Sequence, residues 1–399
     1  MAGNKFNVVK FLVVVLFVFA LNEIACRLLL PPPQHIITSV KSREYAGPQQ
    51  AEKKQLSIHE HPDEGGLYRG SPAGRRLNPN RVVTIENHRL SHKKVVIETN
   101  SIGYRNPEIP VKPDDPNYKR ILFLGDSIIF QDYLNEDETI VRQVETHAHA
   151  DHKNWETINA GVGAISLKTE LAILLETGLS LKPDVVVLNF YLNDFQESKG
   201  VDIIKLPVWL EHSRFLYQVS TLIAQQYHQQ KETPPEVEKV QLAQWQSDFE
   251  KNHRFAPGLF NESPEAFNSL IRDSFSDFGG AWSPAAWDYM RPLLEELKRL
   301  SIEHHFKLVI VFHAAYYQAY TEFVDDYPQQ QMKLIGKEMD IPVLDLLPPL
   351  RAEALRVGGP AIYHGKEFHS DIFYDQNHHT EAGSALVANQ IYSFLSNNL

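Results

Sequence analysis

Leu122-Phe123-Leu124-Gly125-Asp126-Ser127 is the stretch on which the fold turns. An apolar run leads straight into Gly-Asp-Ser, and a helical stretch follows. In open α/β sheets, sites form at the carboxyl ends of strands. A serine placed there is exposed, with its own N–H at a helix start, where that N–H and the helix dipole favour a developing oxyanion. Read by itself, Gly-Asp-Ser is also what a strand end, a turn and a serine cap look like, so the neighbouring segments have to decide.

Outward from this point, short apolar runs alternate with helical stretches. The runs are Arg120–Leu124, Glu156–Asn159, Asp184–Phe190, Lys307–Phe312 and Ile341–Leu346. Continuous rather than alternating apolar residues predict strands covered on both faces, as in a parallel sheet. The stretches Asp137–Thr146, Thr169–Leu179, Ala285–His304 and Gln329–Met339 read as helices. Ser283-Pro284 supplies an N-cap and first-turn pair for the third, and Pro292 is expected to kink it or shift its start. A last helix begins near Thr380, with Val387, Ala388, Ile391, Phe394 and Leu395 as its apolar stripe. The expectation is an α/β three-layer domain with a roughly five-stranded parallel sheet.

Three further segments carry residues of interest. Asp375-Gln376-Asn377-His378 sets a carboxylate and an imidazole three apart, just before the last helix. A serine becomes a useful nucleophile only when an oriented base takes its proton. Asp375 can hold His378 by one ring nitrogen and leave the other for Ser127, although the pair would also serve as a helix cap. Tyr191-Leu192-Asn193-Asp194 follows the run Val185–Leu188, and the Asn193 amide there is either an oxyanion donor or an ordinary turn residue. Asn159-Ala160-Gly161-Val162-Gly163 again follows a strand, with small residues that let a backbone N–H approach a substrate.

In this order and placement the segments resemble those of the SGNH (GDSL-type) hydrolases. Ser127 matches the serine of the first block, Asn193 the Asn of the third, and Asp375 with His378 the final Asp-x-x-His. The resemblance runs from about Thr99 to the C-terminus. It includes Asn100-Ser101-Ile102-Gly103-Tyr104-Arg105, which is similar to an element of membrane-anchored bacterial members. The second block departs from the pattern: ungapped, Ala164 stands where the family has a glycine whose N–H faces the oxyanion, and Gly163 comes one residue early. Ala164 can fill the role if its backbone is ordinary; otherwise Gly163 takes it.

The resemblance implies acyl transfer through Ser127, with His378 as base, Asp375 as its orienting partner, and Ser127, Asn193 and Ala164 or Gly163 around the oxyanion. The implied activity is hydrolysis of a carboxylic ester on an envelope or extracellular substrate such as an acylated polysaccharide. A sugar hydroxyl in place of water makes the same machinery an O-acyltransferase. A catalytically silent glycan-binding or scaffold component is the alternative from another class. The reading calls for no cofactor and no metal.

One motif competes. His147-Ala148-His149-Ala150-Asp151-His152 matches the dizinc element of metallo-β-lactamase-like hydrolases in its ligand types. Its context is wrong, because it ends a polar helical stretch rather than following an apolar strand. A solvated helix terminus is the expected reading. His364, His369 and Asp371 form a second polar group before Asp375 and are expected on loops. Trp282, Trp287, Tyr316 and Tyr317 are expected in core and rim.

The rest of the chain of 399 residues sets the context. A formal net charge of -11 argues against a nucleic-acid partner, which needs a basic footprint. The single cysteine, Cys26, rules out intramolecular disulfides. Lys5 and Lys10 precede the apolar run Phe11–Leu21; Asn22 and Glu23 interrupt it, Ile24–Leu30 resumes it with Arg27 inside, and Pro31–Pro33 close it. Residues 1–33 are therefore expected to be a signal anchor, or a signal peptide cleaved after Val18-Phe19-Ala20, placing the remainder in the periplasm or outside the cell. Residues 34–98 read as a juxtamembrane linker and lead-in with short strands, including the alternating Lys94–Glu98. Residues 99–399 read as the hydrolase domain, interrupted at about 196–282 by a helical insertion with Leu216–Tyr227 and Pro264–Phe275 as its helices.

Overall fold

The computed structural model describes residues 2–29, 42–49, 51–60, 66–71, 73–199, 278–321, 324–357 and 370–399, with a few positions between 215 and 247. In chain order it begins with helix α1 (Ala2–Leu29), strands β1 (Lys54–Ile58), β2 (Tyr68–Ser71), β3 (Gly74–Leu77), β4 (Arg81–Ile85), β5 (Val95–Thr99) and β6 (Lys119–Leu124). The short helix α2 (Ser127–Phe130), α3 (Ile140–Ala150), β7 (Trp155–Asn159), α4 (Leu167–Ile173) and β8 (Val185–Phe190) follow. The C-terminal part holds α5 (Pro284–Glu303), β9 (Lys307–Phe312), α6 (Tyr316–Tyr320), α7 (Tyr327–Met339), β10 (Val343–Asp345), α8 (Leu347–Val357) and α9 (Glu381–Asn398).

Five strands form one wholly parallel sheet in the order β10-β9-β8-β6-β7. Helices cover both faces, which is why all six residues of β8 are buried and why its sequence does not alternate. The register aligns Phe123 with Asn159 on one side and Val187 on the other. The chain leaves β6 toward β7 and then returns to place β8 on the opposite edge of β6. The order therefore reverses beside β6, and a crevice forms at its carboxyl end, at Gly125-Asp126-Ser127. The expected three-layer α/β architecture is present. Helix α5 starts with Pro284 in its first turn and runs through Pro292 without interruption. The Thr380 hydroxyl caps α9 by accepting the Gly383 N–H.

The lead-in is more structured than a linker. Strands β1, β4 and β5 make a small sheet, β1 parallel and β5 antiparallel to β4, while β2 and β3 form a hairpin. Strand β1 lies inside the stretch read as linker, and β5 crosses the 98/99 boundary. Val83, Ile85, Val95 and Ile97 join the same buried cluster as the main sheet. Arg105 fastens the two parts: its guanidinium is wholly buried, donates to the carbonyls of Phe130, Gln131 and Leu134, and lies 3.4 Å from Glu136.

The membrane-anchor part of the N-terminal expectation is not supported. Residues 2–29 are helical, yet among the described residues no helix is long and apolar enough to cross a membrane. The reason is visible in the sequence: Lys5 and Lys10 on one side, and Asn22, Glu23 and Arg27 on the other, leave Phe11–Leu21 short of the roughly 20 apolar residues that a span requires. The helices expected at Leu216–Tyr227 and Pro264–Phe275, and most of the insertion around them, lie outside the described residues, as do His364 and His369.

Candidate active site

Ser127 opens α2 directly after β6, and it is only partly buried, so its hydroxyl is accessible. Asp126 caps that helix: its Oδ1 accepts the Ile128 N–H at 2.9 Å. Because α2 is just four residues long, its dipole is slight, and the expected dipole contribution at Ser127 shrinks with it. What remains is the N–H of a helix's first residue, which has no partner inside the helix.

The loop before α9 brings the base. Ser127 Oγ donates to His378 Nε2 at 3.0 Å, and His378 Nδ1 donates to Asp375 Oδ2 at 2.8 Å. The other carboxylate oxygen of Asp375 accepts the backbone N–H groups of Asn377 and His378 at 3.0 and 2.8 Å. Three residues of separation thus close a small turn in which one carboxylate fixes both the backbone and the ring of the histidine. The loop is locked against α9, where Gly383 meets the Ile372 carbonyl so closely that a Cβ there would lie 2.1 Å from the oxygen. The Tyr133 ring meets the His378 ring edge-on, centroids 5.1 Å apart, and restricts its rotation.

The charges are arranged for proton transfer. Burial pushes the His378 imidazolium down, but Asp375, with Asp132 and Asp126 behind it, more than offsets this, and its pKa lies above the ordinary value. Burial pushes the Asp375 carboxyl up; the His378 charge and the two backbone N–H groups overcome it and hold Asp375 below the usual carboxylate range. Asp375 therefore stays ionised while His378 exchanges its proton.

Asn193 lies at the end of β8, as expected, and its Nδ2 donates to Asp126 Oδ2 at 2.8 Å. An amide nitrogen has two hydrogens, so one remains for a ligand. The loop after β7 packs on α2: Val162 N–H donates to the Gly125 carbonyl, Asn159 Nδ2 donates to the Ile129 carbonyl, and Gly161 approaches the Phe130 backbone. Ala164 has φ +55°, in the left-handed region, and is exposed. Its backbone is therefore not ordinary, and Gly163 becomes the candidate oxyanion donor of this loop.

Below the crevice lies a carboxyl that the sequence did not flag. Glu170 on α4 is fully buried, and neither of its oxygens has a hydrogen-bond partner. Burial first, then Asp194 and Asp126 nearby, push its pKa well above the carboxylate range, so it is held as the neutral acid. A polar residue inside the apolar pattern of a helix was the available signal.

The competing histidine motif ends α3 and spends its groups on packing. His149 Nε2 lies 2.9 Å from the Trp155 carbonyl, Asp151 accepts the Tyr392 hydroxyl, and the His147 ring lies against Tyr392. Among the described residues no group of His, Cys, Asp and Glu is placed to hold a metal ion. Asp371 is exposed on the loop before the triad. Trp282, Trp287, Tyr316 and Tyr317 are all buried and belong to the core.

No family model matches the chain, and no curated protein matches it. Solved structures similar to it include an acetyl xylan esterase, AlAXEase, at 13% identity over 69% of this chain and 98% of that one, with a TM-score of 0.38. A GDSL-like lipase from Bacteroides thetaiotaomicron is 14% identical over 70% of this chain and 89% of its own, with a TM-score of 0.34. A member of the lipolytic G-D-S-L family from Veillonella parvula is 13% identical over 69% and 96%, with a TM-score of 0.35. The case for function rests on the geometry of Ser127, His378 and Asp375.

Proposed function

We propose that this protein is a serine-dependent carboxylic-ester hydrolase of the SGNH type. The observation that carries the reading is the continuous relay from Ser127 Oγ to His378 Nε2 and from His378 Nδ1 to Asp375 Oδ2, at 3.0 and 2.8 Å. Ser127 Oγ attacks the ester carbonyl carbon as its proton passes to His378 Nε2. The carbonyl oxygen becomes an oxyanion, stabilised by the N–H groups of Ser127 and Gly163 and the free hydrogen of the Asn193 amide. The C–O bond to the alcohol breaks, and His378 returns the proton to the departing oxygen. Water, deprotonated by the same nitrogen, then attacks the acyl-serine and releases the acid.

The substrate we propose is an O-acylated saccharide outside the cytoplasm. Lys5 and Lys10 ahead of the apolar run Phe11–Leu21 support that location. The test is release of acetate from acetylated xylo-oligosaccharides and from p-nitrophenyl acetate by the wild-type chain and Ser127→Ala. Serine-dependent release supports the reading. Release only when an unacetylated sugar is present, with the acetyl group recovered on that sugar, turns it into acyl transfer. No release from either substrate by folded protein counts against both.

A further inference from the structure

The hairpin β2–β3 stands outside the five-stranded sheet, yet it is anchored firmly beside the site. Arg76 pairs with Glu176 at 3.0 Å, both nearly buried. Gly74, at φ +101°, sits where a Cβ would come within 2.4 Å of the Thr169 hydroxyl, so the turn lies flat on α4. These contacts deliver two side chains to Gly163. The Arg75 guanidinium stacks 3.5 Å above the Tyr68 ring and donates to the Gly163 carbonyl at 3.4 Å. The Tyr68 ring meets Phe130 of α2 edge-on at 5.9 Å, and its hydroxyl lies 2.8 Å from where a Cβ on Gly163 would be.

The residue after this clamp is Ala164 in the left-handed region, a conformation that costs a non-glycine residue about 1–2 kcal/mol. Such strain persists only where surrounding groups impose it. Arg75 and Tyr68 are the groups that grip the peptide immediately before it. Holding the Gly163 carbonyl fixes the plane of the Gly163–Ala164 peptide, and with the Tyr68 hydroxyl against the Gly163 α-carbon it restricts rotation about ψ of Gly163, through which the Gly163 N–H on the preceding peptide is held in place.

We infer that Arg75, stacked on Tyr68, is a positioning residue for the oxyanion hole: it holds Gly163 so that the backbone N–H of this loop faces the charge that develops when Ser127 attacks. The inference rests on the esterase reading. It gives the lead-in hairpin a part in the chemistry, although neither residue touches the reacting atoms. A slack loop still admits substrate but stabilises the transition state poorly, so the loss falls on kcat and not on KM.

The test uses the full chain and p-nitrophenyl acetate. Arg75→Ala is expected to lower kcat about 10–100-fold, with KM within about twofold and the pH profile unmoved, since the base is untouched. Arg75→Lys is expected to recover part of the loss. Gly163→Ala, whose Cβ meets the Tyr68 hydroxyl, is expected to lose kcat similarly, and adding Tyr68→Phe, which removes that oxygen, is expected to restore it in part. Wild-type kcat in folded Arg75→Ala, or a raised KM alone, overturns the inference. If Arg75→Ala does not fold, absence of rescue in the Gly163→Ala/Tyr68→Phe pair overturns it instead. Wild-type protein that neither hydrolyses ester nor takes up a fluorophosphonate refutes the esterase reading itself, a separate result from any ranking among the variants.

Discussion

Asp126 and Asn193 are joined side chain to side chain, 2.8 Å from Asn193 Nδ2 to Asp126 Oδ2, across the crevice between β6 and β8. The residue before the nucleophile thereby orients the Asn193 amide, the proposed side-chain donor to the oxyanion. Asn193→Ala is expected to lower kcat about 10²–10³-fold, the usual loss for one oxyanion donor. Asp126→Asn turns one of two acceptors into a donor facing a donor, and about a tenfold loss in kcat with KM held is expected. Steady-state kinetics with both variants check this; unchanged kcat in Asn193→Ala contradicts it.

The pH dependence follows from His378. Its folded pKa is raised, chiefly because Asp375 outweighs burial, and only the neutral ring can take the Ser127 proton. A plot of log kcat/KM against pH is expected to rise with unit slope below a pKa above about 6.5 and then level off. Asp375→Asn is expected to remove most activity and shift that inflection down. An inflection well below 6.5 in the wild type contradicts the charge arrangement.

Arg105 carries the junction between lead-in and hydrolase parts. Its buried guanidinium serves the carbonyls of Phe130, Gln131 and Leu134, just after the nucleophile helix. Arg105→Met removes the charge and leaves those carbonyls without that donor, and a loss of about 3–5 kcal/mol in unfolding free energy is expected. Urea unfolding measures it, and a change below about 1 kcal/mol contradicts this role.

Two imidazoles behind the triad make the fold sensitive to acid. His313 and His379 are fully buried, with ring centroids 6.0 Å apart. Burial lowers the His379 pKa to about 4, and burial with the neighbouring ring lowers that of His313 well below its ordinary value. The unfolded chain binds these protons at a pH near 6.5 and the folded chain does not. His379 alone therefore withdraws stability as pH falls from about 6.5 to 4, by up to roughly 3 kcal/mol. In urea melts across that range, His379→Met is expected to flatten the slope; an unchanged slope contradicts the assignment.

The main sheet was legible in the sequence because its strands are buried on both faces and read as unbroken apolar runs. The run at Lys307–Phe312 matches β9 end to end. Ser127 was legible because it sits where an apolar run ends, and Asp375 and His378 because a spacing of three just before the last helix lets one carboxylate serve both backbone and ring. The hairpin was not: Tyr68–Ser71 and Gly74–Leu77 are four residues each, with arginines and glycines in place of an apolar pattern. Nor could spacing reveal that Arg75 reaches Gly163, a contact spanning 88 residues of chain. Helices α6 and α8 also escaped notice, the first because its five buried residues are too few to show a period, the second because Pro348 and Pro349 in its first turn read as a break. The left-handed backbone at Ala164 is imposed by neighbours, and nothing in an alanine announces it.

The central claim is that Ser127 is an activated nucleophile. The most direct measurement is the intact mass of the full chain after exposure to a fluorophosphonate, for the wild type, Ser127→Ala and His378→Ala. The expected result is one adduct on the wild type, mapped to Ser127, none on Ser127→Ala, and labelling slowed by several orders of magnitude in His378→Ala. Folded wild-type protein that stays unlabelled, or that is labelled equally in Ser127→Ala, contradicts the claim.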